Sequence, residues 1–232
     1  MKIKLSLKEG WFIKSSVQVE EGGEVVSTGG FVPKGWYPTS VPSTVLNALV
    51  KNGVYPDPRI GLNVFLIPDA SDEFNERYDL AKYSYLPDKR NPWKDPYWYR
   101  TEFDLPENCK GKRVWLNFKS INYRADVWLN GNKIADREQV VGMFQRFRFD
   151  VTDYVKVGKN HLAVKIYPVD HPGIPDVQLD VFGKVRSFHK EIMKDVTEVM
   201  SIGYDCAPTV PDRNMGILQE VYIDFTGPVD IR

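Results

Sequence analysis

From Tyr97 onward the chain alternates apolar and polar residues with a period of two, the pattern of strands that bury one face. Val114, Leu116 and Phe118 share one side, with Trp115 and Asn117 on the other. Tyr123, Ala125, Val127 and Leu129 repeat the device against Arg124, Asp126, Trp128 and Asn130, and Asn130-Gly131 supplies the positive φ angles of a tight hairpin turn. Phe147, Phe149 and Val151 follow, then Leu162, Val164 and Ile166, and finally Val221, Ile223 and Phe225. Short strands separated by turns predict an all-β sandwich.

Before this block one stretch reads as a helix. Ser43 can cap it, Val45, Leu46, Leu49 and Val50 have helical spacing, and Gly53 can stop it. The polar, proline-bearing segments 83–96 and 207–214 read as rim loops. A sandwich of 232 residues is expected to form one domain, 1–232, and a chain of this size buries roughly 70% of its unfolded surface.

Charge narrows the partners. Lys plus Arg number 31 and Asp plus Glu number 31, so nothing favours nucleic acid or an anionic membrane. No apolar run is long enough to span a bilayer, and Met1 to Gly10 lacks the apolar stretch of a secretory signal. If a leader has been removed, an extracytoplasmic location is favoured. Cys109 and Cys206 lack zinc-site spacing, and whether they pair stays open; His161, His171 and His189 read as structural or solvated, and no metal or cofactor is expected.

Aromatic and carboxylate side chains on a β scaffold suit carbohydrate, since a sugar offers an apolar ring face and hydroxyls to bond. Trp93, Tyr97, Trp98 and Tyr99 form the densest aromatic cluster, and alternation sends most of them into the core. Asn75-Glu76 matches a dipeptide that many retaining glycosidases carry at the end of a barrel strand, but no buried strand precedes it here, so it reads as a solvated loop. In the segment 203–217, Asp212 and Arg213 read as fixing a loop through an ion pair or a turn.

The order and spacing of several motifs resemble the N-terminal domain of family 2 glycoside hydrolases. They are Val41-Pro42-Ser43-Thr44, Tyr55-Pro56-Asp57-Pro58, Gly61-Leu62-Asn63 and Tyr97-Trp98-Tyr99-Arg100-Thr101-Glu102-Phe103, then Ala125-Asp126-Val127-Trp128-Leu129-Asn130-Gly131, Phe149-Asp150-Val151-Thr152 and Gly158-Lys159-Asn160-His161-Leu162-Ala163-Val164. The resemblance implies a jelly-roll, galactose-binding-domain-like sandwich, closest to the β-mannosidase and exo-β-glucosaminidase branch. In that branch an aspartate, usually between two tryptophans, reaches from this domain into the sugar pocket. Asp205 matches it, with Tyr204 and Cys206 at the flanking positions, and Asn63 falls on a second loop near the pocket. The family's catalytic carboxylates lie in a barrel reached through an immunoglobulin-like domain, and neither can be assigned in this chain. The resemblance therefore implies a non-catalytic domain of a retaining exo-glycosidase, inactive alone, that meets a terminal β-linked sugar and the parent's other domains. A free-standing carbohydrate-binding module or structural sandwich is the alternative.

Overall fold

A computed structural model describes residues 4–78, 90–173, 195, 197 and 210–227. The strands, in chain order, are β1 (Lys4–Ser6), β2 (Trp11–Ser15), β3 (Tyr37–Thr39), β4 (Ser43–Thr44), β5 (Tyr97–Leu105), β6 (Arg113–Phe118) and β7 (Ile121–Asn122), followed by β8 (Arg124–Leu129), β9 (Asn132–Ala135), β10 (Phe147–Asp150), β11 (Gly158–Tyr167), β12 (Gly216–Ile217) and β13 (Val221–Thr226). They form a six-stranded sheet in the order β3-β2-β5-β11-β8-β9 and a four-stranded sheet in the order β1-β13-β6-β10, with a small third sheet β4-β12-β7. All the pairings between these strands are antiparallel.

The alternation predicted for the strands holds on their inner faces. Tyr97, Tyr99, Val127, Leu129, Val164 and Ile166 of the larger sheet meet Val114, Leu116, Phe118, Ile223 and Phe225 of the smaller one in a single core. This is the expected all-β sandwich, and the β8–β9 hairpin turns on Asn130 and Gly131, with φ angles of 50° and 84°.

Alternation describes the opposite face of the larger sheet less well. Trp98, Trp128 and Ala163 point away from the main core, yet they are buried in a second apolar cluster with Val26 and Trp36. The segment between β2 and β3, including helix α1 (Gly23–Val26), folds over this face. Both faces are thus covered, and Asp126, expected to face solvent, is buried as well.

Helix α2 (Val45–Lys51) is the one anticipated, but its cap is Thr44 rather than Ser43, which lies in β4. Three groups satisfy the first three amides of α2: Met215 O accepts from Val45 N, the Asp212 carboxylate from Leu46 N and Thr44 Oγ1 from Asn47 N. Helix α3 (Asp72–Tyr78) replaces the loop expected around Asn75-Glu76. It forms because Phe74 is buried and Asn75 bonds both the amide and the carbonyl of Asp69. Gly216 sits where β12 crosses β4, and a Cβ there would lie 2.5 Å from Ser43 O.

Candidate functional site

At one end of the sandwich a cavity of about 640 Å³ opens between the end of β11, the 90–95 segment and the turn that precedes β12. Trp93, Val169 and Pro172 supply apolar wall, while Tyr167, Arg124 and Asp170 supply polar groups. Trp93 and the polar groups are fixed by their neighbours. Trp93 donates its indole N–H to Pro68 O at 2.5 Å, and its ring packs on Tyr55. The Tyr167 hydroxyl donates to Asp126 at 2.8 Å, and burial first, then that bond, raise its pKa above the ordinary phenol range. Arg124 grips both oxygens of Asp170, with its closest contact at 2.7 Å.

The floor is the turn at 210–214. Arg213 and Asn214 take left-handed φ angles of 51° and 58°, and Asn122 Nδ2 donates to both of their carbonyls. The side chains at 212 and 213 diverge from there. Asp212 accepts from Leu46 N and Asn214 N, a turn role as expected, and burial lifts its carboxyl to about 6 against the lowering pull of those amides and of Arg213. Arg213 does not take Asp212 as its ion-pair partner. Its guanidinium, 1% exposed, forks onto Asp69 at 2.8 and 2.7 Å, and its Nε donates to Pro172 O. A buried pair 144 residues apart in sequence replaces the local one that the segment suggested.

Of the sequence-predicted contact residues, Tyr204 and Asp205 lie outside the described residues, as do Cys206 and His189. Asn63 opens a 3-10 turn (Asn63–Leu66), and its side-chain amide donates to Asp57 O at 3.0 Å. It does not line the cavity. Trp93, Tyr97, Trp98 and Tyr99 are all buried, and Trp93 alone of the four borders the cavity. Asp69, Tyr167 and Asp170 belong to no motif, and only the fold brings them here. Cys109 is a buried free thiol. Among the described residues no group of three or more His, Cys, Asp or Glu could hold a metal ion.

The arrangement suits recognition more than bond cleavage. Planar polar groups beside apolar surface can bond hydroxyls and pack against a pyranose face. Among the described residues the cavity's carboxylates are engaged already: Asp170 with Arg124, Asp212 with two amides, and Glu138 near Arg124 and Arg137.

Comparison with known proteins agrees. Residues 84–219 match the family described as glycosyl hydrolase 2 galactose-binding domain-like. An exo-β-D-glucosaminidase of Amycolatopsis orientalis is 32% identical over 224 residues, covering 96% of this chain and 17% of that enzyme. A mannosylglycoprotein endo-β-mannosidase of Lilium longiflorum is 37% identical, covering 98% of this chain and 22% of the enzyme. The crystal structure of the Amycolatopsis orientalis exo-chitosanase superposes with a TM-score of 0.70 at 30% identity, over 99% of this chain and 21% of that one. A β-D-mannosidase structure from Dictyoglomus thermophilum, at 21% identity and a TM-score of 0.57 over 95% of this chain and 22% of its own, shares the fold. The chain thus spans about a fifth of the length of these relatives and corresponds to a domain of them. It belongs to the galactose-binding-like domain family of the family 2 glycoside hydrolases.

Proposed function

We propose that this chain is the non-catalytic carbohydrate-binding domain of a retaining exo-glycosidase, and that it lends the loop around Asp205 to the glycone pocket of a barrel elsewhere in the parent protein. In this reading Asp205 accepts hydrogen bonds from glycone hydroxyls, Tyr204 and Asn63 lie beside it, and the ligand is a terminal β-linked sugar. The observation that carries it is the alignment of almost the whole chain with about a fifth of an exo-β-D-glucosaminidase and of an endo-β-mannosidase. Glycoside hydrolysis needs two carboxylates flanking the scissile bond. Among the described residues the cavity's carboxylates are held by cations or amides, which supports placing the chemistry in the rest of the parent.

A carboxylate that bonds glycone hydroxyls more strongly as the ring flattens contributes about 3 kcal/mol to the transition state. In the full-length parent, Asp205→Ala is therefore expected to lower kcat/KM roughly a hundredfold with little loss of stability. Asp150→Ala is the structural contrast. Asp150 accepts from Thr152 N and from Arg113 at 2.8 Å, so its loss is expected to lower the melting temperature ahead of activity. An Asp205→Ala enzyme within about threefold of wild type in kcat/KM, but with a lowered melting temperature, would make Asp205 a loop cap and overturn the reading.

A further inference from the structure

The cover over the outer face of the larger sheet rests on a histidine. His161 of β11 is buried there, directly opposite Glu102 and diagonal to Arg100 of β5. Its Nδ1 stands 3.4 Å from both Arg100 Nη2 and Glu102 Oε1. The same Nη2 donates to Thr28 O, to Phe31 O and, at 3.0 Å, to Glu102 Oε1, while Arg100 Nε donates to Val26 O. On its other side the imidazole meets Gly29, where a Cβ would come within 2.8 Å of Nε2. One guanidinium thus ties the segment between β2 and β3 to the sheet, and one titratable ring touches that guanidinium, its counter-ion and the segment itself.

From this arrangement we propose that His161 is an acid-triggered release. Protonating the ring loosens the hold of Arg100, and residues 23–31 lift from Trp98 and Trp128 while the rest of the sandwich stays folded.

The geometry supplies two reasons. A protonated imidazole carries N–H on both nitrogens, so Nδ1 then faces an arginine N–H that cannot accept from it. Its one acceptor is Glu102 Oε1, which Arg100 already uses, so the two cations compete for a single oxygen. The charges around the ring are Arg100 and Glu102 of β5, Lys159 of β11 and Lys156 in the turn before it. The covering segment meets it through Gly29 and the β8–β9 hairpin through Asn130, neither of them charged. Burial lowers the ring's pKa below the ordinary 6.5, with Glu102 pulling it up and Arg100, Lys156 and Lys159 pulling it down. Burial pushes Glu102 up, but hydrogen bonds from Arg100 and Lys159 carry it below the usual carboxylate range, so it stays charged while His161 titrates.

The covered ring therefore binds a proton less readily than a lifted, solvated one. Closure is fully favoured above 6.5 and weakens as pH falls below it. At about pH 5 a ring of pKa 6.5 is protonated over neutral by about thirtyfold, which is the ceiling on the increase in opening.

Hydrogen exchange followed by mass spectrometry on the purified chain tests this. The amides of Val25, Val26, Ser27, Thr28 and Phe31 bond within their own segment, so their protection reports whether that turn is held against the sheet. Corrected for intrinsic exchange, opening of peptides covering 23–31 is expected to rise about five- to thirtyfold from about pH 7.5 to about pH 5, with β6 peptides unchanged. His161→Gln, which takes no proton, is expected to hold that ratio within about twofold. A wild-type rise below about twofold, the full rise retained in His161→Gln, or an equal rise in β6 overturns the proposal. Should His161→Gln not fold, an NMR titration of the wild-type ring decides: a midpoint below 6.5 supports the release, and one at or above it overturns it.

Discussion

Asp212 shows how far one residue's role departs from its local context. Neighbouring Pro211 and Arg213 mark a turn, and the carboxylate does serve that turn through Asn214 N. Its other oxygen reaches Leu46 N in α2, 166 residues away, a contact no local signal announces. Burial raises the carboxyl from 3.8 to about 6, so between those values the folded chain holds a proton that the unfolded chain has released. Stability from this group therefore falls as pH rises from about 4 to 6, and its cost is fully present above 6. Asp212→Asn abolishes the titration but turns an N–H donor toward a backbone donor, at a cost of about 1–3 kcal/mol. In urea unfolding the wild type is expected to exceed the variant by more at pH 4.5 than at pH 7. An equal margin at both pH values would refute the assignment.

Among the elements, the segment between β2 and β3 most alters the simple sandwich, because it covers a face that alternation leaves to solvent. Its latch is Arg100 of β5, buried, which donates to Val26 O, Thr28 O and Phe31 O and pairs with Glu102 at 3.0 Å. Beneath it Trp98 and Trp128 meet with ring centroids 5.2 Å apart. His161 lies beside the guanidinium with its pKa lowered by burial first and by Arg100 among the charges around it. Removing the fork leaves several carbonyls without their donor, so Arg100→Met is expected to lower unfolding free energy by about 3 kcal/mol and to shift tryptophan emission to the red. Arg100→Lys is expected to recover little, since an ammonium cannot reach the same carbonyls at once. Urea titration monitored by fluorescence reads both, and a loss below about 1 kcal/mol in Arg100→Met would mean the segment is held by its apolar contacts alone.

Over the whole molecule, the cavity and the turn at 210–214 that floors it gather at one end of the sandwich. The purified chain is expected to give no turnover of nitrophenyl β-mannoside, β-glucosaminide, β-galactoside or β-glucuronide, because no acid/base and nucleophile pair is assigned to it. Hydrolysis that scales with chain concentration and survives repurification would overturn that. The inner faces of β6, β8, β10, β11 and β13, the β8–β9 hairpin and the existence of helix α2 were legible in the residues themselves, since side-chain period and turn chemistry act over a few neighbours. The family pattern was legible as well, in the order of motifs along the chain. The second apolar cluster that Trp98 and Trp128 form on the outer face of the larger sheet, the Arg213–Asp69 pair and the meeting of Trp93, Tyr167 and Asp170 around one cavity were not. Each depends on which distant segment comes to rest on which face, and that follows from the packing of the complete chain, which no local period or turn residue encodes.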